Sequence, residues 1–65
     1  MKNTIKALQL LHEAQNFQNL SSAHLDVAGI NTDDQEVFEY HIKKMAAYRV
    51  LAEQILDEID SMVGA

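Results

Sequence analysis

The chain has 65 residues, a net charge of −5, no cysteine and no proline. That length suits one domain with a small core, and the absence of cysteine excludes disulfides and thiolate metal sites as its staples. Five basic against ten acidic residues argue against a broad phosphate-binding surface, and no apolar run approaches the ~20 residues of a membrane span.

The opening stretch MKNTIKALQLLHEAQ has one short apolar patch and no small-residue cleavage site, so no secretion signal is expected and a cytoplasmic protein is. The triplet Asn19-Leu20-Ser21 is then a chance match to a glycosylation site. Nothing forces a break before Gly29, and the pattern predicts a first helix over roughly 3–28. Ala7, Ala14, Ser21 and Ala28 fall every seventh residue, with Leu10, Phe17 and His24 between them at spacings of three and four. A stripe of small side chains lets two helix axes come close. The weak helix sequence Leu20-Ser21-Ser22-Ala23-His24 offers an alternative: Ser21 or Ser22 caps a new helix, and the chain has three.

Gly29 punctuates the sequence. It suits the left-handed residue that ends a helix, with Ile30 packing back on Leu25. Thr32-Asp33-Asp34-Gln35 has the form of a capping box, and Asp33 and Asp34 put negative charge in a first turn. The turn is therefore expected at 29–31 and a second helix over roughly 33–62. In that helix Phe38, His41, Met45, Tyr48, Ala52, Ile55, Ile59 and Met62 alternate spacings of three and four, a coiled-coil seam flanked by Val37, Leu51, Leu56 and Val63.

The two patterns predict an all-α antiparallel helical hairpin in one domain. Folding at Asn31 makes facing residue numbers total about 62, which sets Ala7 against Ile55, Leu10 against Ala52, Ala14 against Tyr48 and Phe17 against Met45. Small then faces large in most layers. Lys2 and Lys6 also come beside Asp57, Glu58 and Asp60, relieving charges that oppose both helix dipoles.

One segment asks for more cover than a hairpin provides. MAAYRVLA, residues 45–52, is apolar on nearly every side. The first helix covers Met45, Tyr48 and Ala52. Ala46, Ala47, Val50 and Leu51 remain, with Ile42 one turn earlier, and Ile42, Ala46 and Val50 form a second stripe. On the first helix Ile5, Leu8, Leu20 and Val27 lie off the inner face, and amides outnumber charges on the rest. The simplest cover is a second copy, giving a four-helix bundle with a self-interface at Ile42, Ala46, Ala47, Val50 and Leu51; the other is a docking face for a different protein.

No catalytic or cofactor pattern competes with this reading. HEAQN at 12–16 begins like a zinc-protease helix, but Asn16 stands where the second histidine belongs. No Glu-x-x-His pair supplies a di-metal bundle, no glycine-rich loop cradles a phosphate, and no triad is placed. His24 and His41 are expected near the turn end of the interior, as a metal or pH-sensitive pair or, more plainly, as seam histidines bonding locally to groups such as Ser21. Lys43, Lys44 and Arg49 form the basic cluster, balanced by Glu36 and Glu39 on the same helix.

The expected function is thus binding rather than catalysis: a small acidic homo-oligomeric module acting on another protein as regulator, inhibitor or chaperone-like adaptor, with no cofactor and no metal. A short acidic helical hairpin that dimerises into a bundle is also similar in outline to the plasmid copy-number proteins that bind paired RNA loops. That likeness, one of length and architecture, implies an alternative in which Lys43, Lys44 and Arg49 contact nucleic-acid phosphates. A third reading makes Glu53, Asp57, Glu58 and Asp60 an imitation of a phosphate backbone that blocks a nucleic-acid-binding protein.

Overall fold

The computed structural model describes residues 2–64, the side chain of Lys2 excepted. Two long helices, α1 (Lys2–Ile30) and α2 (Gln35–Gly64), fold back on each other into a hairpin 51 × 14 × 11 Å. α1 runs unbroken through Ser21 and Ser22, so the three-helix alternative does not hold. The reason is local: the Ser21 hydroxyl leaves the backbone of its own helix alone and donates across the hairpin to the Met45 carbonyl at 2.9 Å.

The turn differs from its expected form. Gly29 is not left-handed; it is an ordinary helical residue, and Ile30 is 79% exposed rather than packed back on Leu25. Asn31 ends the helix instead. Its backbone N–H donates to the Ala28 carbonyl at 3.1 Å, and its side-chain amide donates to the Val27 carbonyl at 2.8 Å, so two terminal carbonyls are satisfied without a glycine. α2 starts later than expected for a similar reason. Its cap is Asp34, whose carboxylate accepts the Val37 N–H at 3.3 Å, and the Thr32-Gln35 capping box does not form. Gln35 turns forward to donate to the Glu39 carboxylate at 3.1 Å.

Moving the turn to residues 31–34 slides the helices past each other by about three residues, close to one helical turn. Phe17 stacks on Tyr48, His24 meets His41 and Ser21 reaches Met45. The layers expected between Phe17 and Met45 and between Ala14 and Tyr48 are replaced by these. The columns themselves stand. Ala7, Ala14, Ser21 and Ala28 are all buried, Ala14 and Ala28 completely. All eight seam positions of α2, Phe38 to Met62, are buried or half-buried.

This interior is thin. Among the described residues the buried ones are four alanines, Leu10 and Ser21, and no large side chain is fully enclosed. Half-buried Phe, Met, Ile and Tyr side chains complete the contact. Each buries part of the area that makes a core side chain worth ~1.5–3 kcal/mol, which leaves a hairpin of modest stability.

Candidate interaction surface

The polar and aromatic groups that join the helices gather in the half nearer the turn. Here Phe17, His24, Tyr40, His41 and Tyr48 form one cluster. The Phe17 and Tyr48 rings stack with centroids 6.0 Å apart, and the His24 ring stacks on Tyr48 at 5.6 Å. Tyr40 meets His24 and His41 edge-on at 6.5 and 5.0 Å. His24 and His41 share a hydrogen bond between their Nδ1 atoms at 2.8 Å, one ring donating and the other accepting. The sequence placed both histidines near the turn end. It did not show that they bond to each other rather than to Ser21, because that depended on the register. Two rings do not by themselves make a metal centre: among the described residues no three His, Cys, Asp or Glu side chains gather closely enough to hold an ion.

The charged groups named from the sequence are dispersed. On α2, Lys43, Lys44 and Arg49 point in three directions, roughly 100–140° apart at 3.6 residues per turn. Lys44 lies over the Tyr40 ring, its Nζ 5.7 Å from the centroid. Arg49 makes the one ion pair among the described residues, Nε to Glu53 Oε1 at 3.3 Å between well-exposed side chains, an i,i+4 pair worth ~0.3–0.5 kcal/mol. Glu53, Asp57 and Asp60 share a side at i, i+4 and i+7, and Glu58 lies away from them; all four are exposed. Of the pairing expected at the open end, the part that falls on Lys6 does not form. Lys6 is exposed and makes no salt bridge with Asp57, Glu58 or Asp60, and the Lys2 side chain lies outside the described residues.

The apolar residues named from the sequence are mostly at the surface. Ala46, Ala47, Val50 and Leu51 are exposed and Ile42 is half-buried. They do not form one stripe. With the seam as reference, Ile42 and Ala46 flank it on one side, Ala47 and Leu51 on the other, and Val50 sits on the back of the helix, about 160° from Ala52. Further apolar groups surround them: Leu8, Leu11 and Leu25 on the Ile42 side, and Leu20, Val27 and Tyr40 on the Leu51 side, all exposed. Exposed leucines and valines are common singly, but here they line both faces of a narrow hairpin. An open groove on the Ile42 side is lined by Gln18, Ser21, Ser22, Arg49, Ala52 and Glu53.

No helix among the described residues is long and apolar enough to cross a membrane. Compared with protein-family models, curated proteins and solved structures, the chain matches none.

Proposed function

We propose that the protein acts by binding rather than by catalysis: two hairpins pair into a four-helix bundle, and that dimer engages another protein as a small regulator, inhibitor or adaptor. The supporting observation is the mismatch between core and surface. Among the described residues, eleven large apolar side chains are between 36% and 79% exposed, while no large one is fully enclosed. A hairpin built this way gains most by covering a face with another helical pair, and two-fold pairing is the commonest closed solution.

Light scattering on a sizing column measures the solution mass directly. The reading requires a mass twice the 7.3 kDa of the chain at micromolar concentration. A folded, helical species at the single-chain mass overturns it.

A further inference from the structure

The two faces of the hairpin differ in their symmetry, and this selects the one that a second copy can cover. On the side of the open groove, the residues flanking the two seams form three inner layers, Leu11 with Leu56, Gln18 with Arg49 and Leu25 with Ile42, and a fourth at the open end, Thr4 with Val63. Gln18 and Arg49 line that groove together, which places the two rows side by side. Successive layers are seven residues apart, about 10.5 Å along the axis. The order of the three inner layers is therefore apolar, polar, apolar, and it reads the same from either end.

We propose that a second copy packs antiparallel on this face, with the two-fold axis running through the Gln18–Arg49 layer. This rests on the self-association argued above. The rotation sets Leu11 of each copy against Leu25 of the other, Leu56 against Ile42, and Gln18 and Arg49 each against its own counterpart, where each Arg49 keeps its Glu53 pair. The opposite face has no such symmetry. Its layers run from Val27 with Val37 at the turn to Lys6 with Glu58 at the open end, and the same rotation would press valines onto charges.

Three observations agree. The hairpin exposes 4964 Å², against roughly 4,200 Å² for a compact monomer of this mass. The excess, roughly 800 Å², equals one partner's share of a standard stable interface. Between Thr4 and Leu25 the groove side of α1 carries no charged residue: Lys6 and Glu13 lie on its other side. The polar middle layer, with the Arg49–Glu53 pair beside it, then holds the register, as a lone polar layer does in coiled coils.

Solution masses of the wild type, Leu11→Glu, Leu25→Glu and Leu51→Glu test this. The first two substitutions bury a carboxylate with no partner and are expected to weaken the dimer at least about a hundredfold. Leu51→Glu, on the other face, is expected to leave it intact. Because a variant that loses its fold loses the dimer with it, mild oxidation of single-cysteine variants gives a second measurement. Gln18→Cys should form a covalent dimer rapidly and Leu51→Cys slowly in the same buffer. A wild-type monomer overturns self-association itself. A dimer that survives Leu11→Glu and Leu25→Glu but not Leu51→Glu, or that crosslinks faster through Leu51→Cys, keeps self-association and overturns this face.

Discussion

Replacing Gly29 with alanine gives a result whose sign depends on how α1 ends. A glycine in the left-handed cap position resists substitution, because a Cβ there costs ~1–2 kcal/mol. In this hairpin Gly29 is helical and exposed, and a Cβ added to it meets nothing within 4 Å. Alanine then gains the helix-propensity difference of ~0.8–1.0 kcal/mol in a helix interior. Gly29 is one residue from the end of α1, where the helix is less constrained, so about 0.5 kcal/mol is the working figure. For a chain of this size that raises Tm by roughly 2–4 °C. Circular dichroism melts of the two proteins at one protomer concentration make the comparison. A lower Tm for Gly29→Ala would refute the argument, since it would require the left-handed turn after all.

Four other outcomes follow from the packing. Ala14→Leu forces three extra carbons into a position with no exposure, at a cost of ~1–3 kcal/mol, whereas Asn19→Leu on the outer side of α1 changes urea-unfolding stability by less than about 0.5 kcal/mol. Asp34→Ala removes the cap of α2 and costs ~0.5–1 kcal/mol, while Thr32→Ala is near neutral; equal losses by the same titration would restore the Thr32 capping box. Phe17→Ala loses the stack on Tyr48 and half-buried area, together about 2 kcal/mol, and a melting point within 2 °C of wild type would show that the cluster contributes little. If the dimer is the folded form, Tm rises with protomer concentration over a hundredfold range, and a constant Tm counts against it.

Much of the fold was legible because residue size repeats. The seven-residue column Ala7, Ala14, Ser21, Ala28 has few other uses in a helix, and α2 carries a seam without interruption. The register was less legible. A three-four pattern looks similar after a shift of one turn, so the alignment depended on a few turn residues, and there several side chains compete for the same backbone groups. Asn31 did the work expected of Gly29, and Asp34 that expected of Thr32. The surface suffered for a related reason. A spacing of i, i+4, i+8 drifts about 40° around the helix at each step, which carries Ile42 from the seam edge to Val50 on the back. The apolar layers on the groove side belong to two helices at once, and become visible only when the register is known.

The cross-links within one hairpin are unevenly placed. Ser21 to Met45, His24 to His41, and the whole aromatic cluster lie between the middle and the turn. Toward the free ends the helices are held, among the described residues, by buried and half-buried apolar contacts. Local opening of a hairpin of this kind would cost least where such cross-links are absent and most in the half near the turn. In an antiparallel pair, the loosely held end of each copy lies against the firmly held end of the other. Each copy would then damp its partner's fraying, and the assembled bundle would be more uniform in its motions than either hairpin alone.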